Sequence, residues 1–535
     1  MRALRDLDVL VVDCQAGGAT PAYGDLLELG WARCGRDGAR EVHAHWITRE
    51  TNRPVPRPIR QLTGWSERCE GIAADDAWRR LLADAPAPPA PTVIHWARFE
   101  MPFLRRLHET SGDAGAFPLD PICLHAIAER LFPDLPRRNI RALAGHLGGS
   151  ADLTRRSAGH VEASAFIWRA LVPVLEEEAG VHTWEELATW LVVAPAPSRA
   201  RGAKRVFPLA IEKRRALPDA PGVYRFVRKN GDVIYVGKAA SLKKRVASHF
   251  TAARNRTHER ALEMLTQVHD VVVSETASAL EAALLESDEI KRIDPPYNVQ
   301  LRTAERRAWF ATRTFEDARD APDDTHRIGP LPSRHALSGL AAIRRLHAGA
   351  DPDEHLVADA VSVPPRFAPE LALFAPCWRA FREEHLRGDV LAASRALWPS
   401  RIEDSPDDAP PSGWDRDRVM RHLERSLVFG GLLVRRARWL CVLCDASVEF
   451  REKGAARERR LVVASGEIRA GDEVVASRPR ALAQRKASFD AARYDRMRVL
   501  ATELRRVHLE GGEVRVLAGS HRIAGARLAR ILTAL

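Results

Sequence analysis

At 535 residues the chain is too long for one ordinary domain, and its 45% hydrophobic content excludes a largely disordered polymer; three or four domains are expected. A formal net charge of +11 favours a polyanionic partner, although an Ala/Arg/Pro-rich composition supplies much of the arginine by itself. Charges at Arg2, Arg5, Asp6 and Asp8 lead to the expectation of no secretory signal, and the longest uncharged apolar run, Leu187 to Pro197, is too short to span a bilayer.

Asp8–Asp13 (DVLVVD) reads as a buried strand and Asp25–Arg33 as a second. The proline-rich Asp84–Pro91 is a surface loop, and Thr92–Phe103 runs from strand into helix. Asn139–Leu147 and Arg156–Leu175 carry helical patterns. A Pro- and Arg-rich linker, residues 193–215, separates this first domain, residues 1–180, from the next.

Residues 216–302 hold three of the chain's five tyrosines. Alternating segments Val223–Lys229 and Asp232–Val236 flank Asn230-Gly231, which predicts a hairpin closed by a two-residue turn. Phe226 then faces Tyr235 and Tyr224 faces Gly237, so Tyr224 and Tyr235 are diagonal neighbours on one face. Val223, Val227, Ile234 and Val236 take the other; one face is expected to be core and the other a site. A helix from about Ala240 to Phe250 follows, with Leu242, Val246 and Phe250 toward the sheet and Arg245 and His249 on a neighbouring face. Val268–Ser274 is a third strand. Ala277–Ile293 is a helix stopped by Asp294-Pro295-Pro296, with Glu286 beside Ala279, Ala282 and Ala283.

A carboxylate, two phenols, a lysine, an arginine and an amide suit hydrolysis of a phosphodiester. Glu286 offers oxygen to one Mg²⁺ or Mn²⁺. Lys238 and Arg245 offer charge to phosphate, and Tyr224, Tyr235 or His249 can orient or deprotonate water. Singly, each residue reads more simply as ordinary surface or core; their order and spacing together argue for a nuclease. From Arg199 to Arg260 there are 17 basic residues against four acidic ones, a phosphate-binding footprint in which Lys243 and Lys244 are candidate DNA contacts.

Residues 335–400 look helical, and 401–414 form an acidic, Pro-rich linker. Gly430 to about Val475 suggests an antiparallel β unit. Cys441 and Cys444 fit it as strand packing rather than as metal ligands, because no second pair completes a site. The seven cysteines show no framework spacing, which suits a cytoplasmic protein without membrane association. Phe489–His508 is an amphipathic helix with Met497, Leu500, Ala501 and Leu504 on its apolar face, ended by Gly511-Gly512. Residues 415–535 carry no motif with chemistry and are assigned a binding or scaffolding role. The expected fold class is a multidomain α/β chain with a mixed helical and β C-terminal region.

The stretches PGVYRFVRKNGDVIYVGKAASLKKRVASHF and LLESDEIKRIDPPYNVQLR closely resemble the GIY-YIG endonuclease domain of the UvrC and Cho excinucleases. The resemblance implies a small α/β domain and a metal-dependent nuclease that cuts damaged DNA on the 3′ side of a lesion in nucleotide excision repair. Damage-recognition (excinuclease) proteins are then candidate partners. It makes Tyr224 and Tyr235 the motif tyrosines, Lys238 and Arg245 the basic pair, Glu286 the single metal ligand and Asn298 the terminal amide. His249 stands where several relatives carry a third tyrosine. Ile328–Ser333 (IGPLPS) resembles a segment that follows this domain, so residues 303–400 are read as a UvrC/Cho-like extension with helices. Nothing later resembles the second nuclease domain, helix-hairpin-helix tail or iron–sulfur cysteines of UvrC, which favours Cho-like behaviour.

The order of elements in residues 1–180 resembles the DEDD 3′–5′ exonuclease domain of the polymerase III epsilon subunit, which implies a ribonuclease-H-like fold. That family needs four carboxylates on two metals and a histidine or tyrosine base. Here Asp13 is kept, Gln15 replaces a carboxylate, Glu100 stands for an aspartate, and the third motif aligns as Ser157 and Glu162. His160 could serve as base, although a solvated helical histidine is the simpler reading. A degenerate exonuclease is expected, retained for binding DNA or a partner, with Asp13, Gln15, Glu100 and Glu162 as its vestigial site. The alternatives are a non-catalytic DNA-binding repair adaptor and a dual nuclease whose exonuclease is active.

Overall fold

The computed structural model describes residues 2–49, 51–112, 115–150, 155–193, 206–255, 259–299, 307–397, 413–470 and 489–533. Most of the predicted basic linker and of the acidic linker at 401–414 lies outside the described residues. The chain divides into two compact units, Met1–Thr276 with Pro295–Val299, and Ala277–Asp294 with Gln300–Leu535.

In the first unit the strand Val9–Ala16 is buried along its whole length, because it lies inside a sheet covered on both faces. Leu26–Gly35 pairs antiparallel with it on one side and Ala90–Ile94 parallel on the other. His43–Trp46 continues the sheet antiparallel to Leu26–Gly35, and Leu119–Cys123 continues it parallel to Ala90–Ile94. Alternation divides Val9–Ala16 between two cores. Val9 and Val11 join Trp168 and Val161 of the helix Ser157–Ala179, while Leu10, Val12 and Cys14 join Trp31 and Trp78. Asp13 and Gln15 share the parity of Val9 and Val11, which turns both toward the long helix.

The second sheet has Gly222–Val227 at its centre, antiparallel to Val233–Ala239 and to Asp270–Glu275. Phe226 pairs with Tyr235 and Tyr224 with Gly237, the register expected from the sequence. The turn differs. Gly231 N–H donates to Arg228 O at 3.1 Å, Gly231 adopts φ +92°, and Arg228 N–H donates to Asp232 O at 2.9 Å. This is a three-residue loop of type I with a left-handed glycine, and an irregularity between Phe226 and Val227 restores the register. Leu242–Asn255 is the basic helix, and Leu242, Val246 and Phe250 are buried as expected. A helix that the sequence pattern did not reveal, Glu259–Thr266, packs against Ile140–Leu147 of the first sheet's cover. Asn139 Nδ2 donates to Glu263 at 2.6 Å there, and a Cβ on Gly145 would overlap Gln267.

In the second unit, the helices Ser338–His347, Glu354–Ala360, Leu371–His385 and Val390–Leu397 share a core with the 28-residue helix Arg416–Leu443. That long helix corrects the expectation of β structure from Gly430. Gly430 and Gly431 are small for packing, not for turning: a Cβ would lie 2.8 Å from Leu340 Cβ and 1.7 Å from Ser394 Oγ. Strands begin only at Ala446, in a five-stranded antiparallel sheet that the helix Ala491–Leu509 covers with Met497, Leu500, Ala501 and Leu504. Cys441 and Cys444 sit in the last turn and at the C-cap of the long helix, fully buried, rather than on a strand. Among the described residues no helix is long and apolar enough to cross a membrane.

Candidate active sites

The tyrosine face of the hairpin is packed rather than open. Tyr224 and Phe226 are both fully buried against Leu242, Val246 and Phe250, and the opposite face, with Val223, Ile234 and Val236, is buried as well. The expectation of one core face and one free site face is therefore corrected: the site lies at the edge of a core. Tyr224 Oη lies 2.6 Å from His249 Nε2, and the rings of Tyr224 and Tyr235 are 6.0 Å apart. Gly237, opposite Tyr224, makes this approach feasible, since a Cβ there would stand 2.5 Å from Tyr224 Oη and 2.9 Å from Tyr235 Cε1.

Burial pushes the Tyr224 phenol well above its ordinary range, helped by Tyr235 and opposed by Arg245. Burial, with Arg245 adding to it, lowers His249 to about 4, so its imidazole is neutral at physiological pH. Tyr224 Oη and His249 Nε2 are thus a hydrogen-bonded pair, with Tyr235 and Arg245 near enough to bias the phenol in opposite directions. Tyr235 and Lys238 are half-buried on the adjoining strand, and Arg245, Lys243 and Lys244 are exposed on the helix. Lys244 lies 3.7 Å from Asp219.

Asn298 was grouped with the catalytic residues from sequence, and its amide is spent elsewhere. Oδ1 accepts from Val236 N–H and Nδ2 donates to Val236 O, both at 2.9 Å. Tyr297 N–H adds a bond to Ile234 O at 3.1 Å. Val233–Ala239 is an edge strand, and this segment satisfies its outward backbone groups between Tyr235 and Gly237. Asn298 is thus a positioning residue. Glu286 is half-buried on the helix Ala279–Ile293 of the second unit.

The first sheet assembles a second group. Asp13 and Glu100 are both at least 95% buried. Glu100 Oε2 accepts from Cys14 N–H at 3.0 Å and Oε1 from Trp96 N–H at 3.4 Å. Burial, then the nearby Asp13 charge, raises the Glu100 carboxyl well above the usual range. His160 Nδ1 stands 3.2 Å from Asp13 Oδ1. Although burial acts to lower His160, its bond to Asp13 leaves it raised. His160 is therefore not a solvated helical histidine, because its position on Ser157–Ala179 faces Asp13. Glu162, two residues on, is exposed and does not join the group.

Gln15 donates from Nε2 to Arg155 O at 2.7 Å. A carboxylate absent from the sequence reading is paired with it in register: Glu28, fully buried, accepts from Ser157 N–H at 2.9 Å and is ion-paired with Arg156. Its signal was a lone charge inside the apolar run DLLELGWAR. Asp13 Oδ2 and Gln15 Oε1 are buried without a hydrogen-bond partner among the described residues. One open carboxylate oxygen and one amide oxygen fit a hard cation in kind, but fall short of a two-metal donor set.

The family model for the UvrC-like GIY-YIG domain matches residues 220–299. UvrABC system protein C of Alkalilimnicola ehrlichii is 44% identical over 132 residues, 23% of this chain and 21% of that protein. A Mycobacterium tuberculosis protein named as a bifunctional exonuclease/endonuclease is 29% identical over 356 residues, 64% of this chain and 52% of that one. The chain thus spans about a fifth to a half of the length of these relatives. Among solved structures, the N-terminal endonuclease domain of UvrC from Thermotoga maritima, bound to magnesium as its catalytic divalent cation, is 33% identical. It covers 16% of this chain and 93% of that one with a TM-score of 0.15. Escherichia coli exonuclease I with an oligonucleotide is 13% identical, covers 41% of this chain and 48% of that one, and has a TM-score of 0.30. The chain carries a UvrC-like GIY-YIG nuclease domain behind an exonuclease-like segment.

Proposed function

We propose that the protein is a metal-dependent DNA endonuclease, with residues 216–302 cutting one strand of distorted or damaged DNA in excision repair of the Cho type. The observation that carries this reading is the hydrogen-bonded Tyr224–His249 pair, held uncharged beside Arg245 and a basic helix surface. Arg245 and Lys238 bind the scissile phosphate and the charge that grows on it. Tyr235, the less buried phenol, orients the attacking water. Tyr224 fixes the ring of His249, which burial and Arg245 keep neutral, so that the pair can relay a proton through the Tyr224 hydroxyl. Glu286 supplies the carboxylate for one Mg²⁺ or Mn²⁺, which when bound neutralises the phosphate and the leaving oxygen. Lys243 and Lys244 extend the phosphate-binding surface. The products are a 3′-hydroxyl and a 5′-phosphate, and excinuclease proteins that recognise damage are the partners that would deliver the substrate. A cytoplasmic setting fits this role.

The N-terminal segment is read as a ribonuclease-H-like, degenerate exonuclease retained for binding. Supporting this are its strand order, with one antiparallel strand beside parallel ones, and the donor set reduced to Asp13, Gln15 and Glu100. One observation favours a second reading, an active trimming nuclease: His160 is placed on Asp13 as a base would be.

End-labelled damaged and undamaged duplexes with Mg²⁺ or Mn²⁺ test both readings. A discrete internal nick lost in Glu286→Gln is expected; a nick that survives it ends the endonuclease reading. A ladder from the 3′ end that survives Glu286→Gln and disappears in Asp13→Asn would establish the active exonuclease.

A further inference from the structure

The helix Arg416–Leu443 forms one wall of a cavity of about 870 Å³ inside the second unit, outside the nuclease match. That volume lies toward the upper end of the range of about 300–1,000 Å³ typical of ligand sites. Its lining is mixed: beside apolar residues such as Leu340, Val363 and Phe367, Arg366, Arg418 and Arg425 stand against a single carboxylate, Asp359. Phe429, 58% exposed, lies on the same helix between residues that are buried. Arg418, Arg425 and Phe429 follow at intervals of seven and four residues, which places them on one helix face over roughly 16 Å.

The cavity is preformed. Arg418 donates to Gly413 O at 2.9 Å and lies 5.8 Å from the Trp414 ring centre. Arg366 lies 4.7 Å above Phe367. His422 Nδ1 donates to Val361 O at 2.9 Å, since a carbonyl only accepts, and this fixes the imidazole against Trp414. Ser362 is held at φ +56° with its Oγ 2.7 Å from Ser426 Oγ, pinning the opposite wall to the helix. Arg425 forms no ion pair among the described residues, so its charge faces the cavity uncompensated.

We propose that this cavity binds single-stranded DNA, with backbone phosphates on Arg366, Arg418 and Arg425 and an unstacked base on Phe429. The choice of DNA rests on the endonuclease reading; the choice of a single strand rests on the ring. A phenyl group presented among arginines is a stacking platform, and only an unpaired base has a free face to offer it. An acidic peptide would satisfy the arginines and leave Phe429 without a role. The occupant is then the unpaired strand of a distorted duplex.

The test uses the full chain in EDTA, where cleavage is suppressed, and fluorescence anisotropy of a labelled dodecamer of deoxythymidine, the matching duplex and the RNA equivalent. Phe429→Ala is expected to weaken single-strand binding about tenfold, and Phe429→Trp to retain it. Arg418→Gln with Arg425→Gln should reduce the slope of log affinity against log salt by about 1.4. Duplex affinity should change less than twofold, and the melting temperature of Phe429→Ala should stay level because that ring is exposed. Unchanged single-strand affinity in both variants overturns the proposal, as does an equal loss for duplex or tighter binding of RNA. Nicking assayed in parallel separates the two readings: nicking that survives Glu286→Gln sinks the endonuclease, while a Phe429-dependent single-strand affinity stands without it.

Discussion

Two of the buried polar groups in the first unit differ in what burial has done to them. On the hairpin, burial drives Tyr224 and His249 to their neutral forms, with Arg245 reinforcing this at His249 and opposing it at Tyr224. On the first sheet, burial sets two carboxylates against each other and raises Glu100, while Asp13 is left with one oxygen unpartnered. The sheet group offers one open carboxylate oxygen and one amide oxygen. The buried strand and helix that position Asp13 and His160 are required for packing whether or not the group binds metal.

That contrast can be broken by substitution. Gly237→Ala should have the largest effect, since the added methyl overlaps Tyr224 and Tyr235; nicking should fall at least a hundredfold, and the unfolding transition of the first unit should move down by several degrees, on the order of 2–4 °C per kcal/mol. Nicking near wild-type level would show that the hairpin relaxes. Next comes Asn298→Ala, which frees both backbone groups of Val236 and should cost about 1–3 kcal/mol of stability by chemical denaturation. If Asn298 positions the strand rather than touching substrate, KM and kcat should both suffer.

The acid side of the pH profile sharpens the comparison further. His249 is depressed, so its neutral form persists as pH falls below 6.5 and is lost only near 4. Nicking should hold from pH 8 down to about 5, and His249→Gln should remove the acid limb. A limb centred near 6.5 would contradict the burial argument.

The smallest effect is expected at the first sheet. Glu100 is raised above its unfolded value, so its ionised form penalises the fold increasingly as pH climbs past 4.5. Glu100→Gln removes that penalty but turns one acceptor into a donor facing a backbone N–H, so its melting temperature in EDTA relative to wild type should improve as pH rises from about 5 to 8. His160 runs the other way. Its contact with Asp13 contributes below pH 6.5 and fades as pH rises through its raised value, so His160→Gln should destabilise more at pH 6 than at pH 8.5. Added Mn²⁺ should leave both melting curves in place if the site is vestigial.

Sequence alone determined the secondary elements with strong periodicity and the hairpin register. Alternation fixes which strand residues share a face, and i, i+4 spacing fixes Leu242, Val246 and Phe250, whatever the rest of the chain does. It also brought Tyr224, Tyr235, Arg245 and His249 to one place, since all lie within a hairpin and the helix that follows it. Only tertiary structure decided the rest. The role of Asn298 depends on a free strand edge 62 residues earlier in the chain. Glu28 and His160 reach the Asp13 group through strand pairing and helix docking that no local pattern encodes. Gly430 and Gly431, read from sequence as the start of a β unit, are close-packing points of a long helix, because only the neighbouring helices reveal what a missing side chain is for.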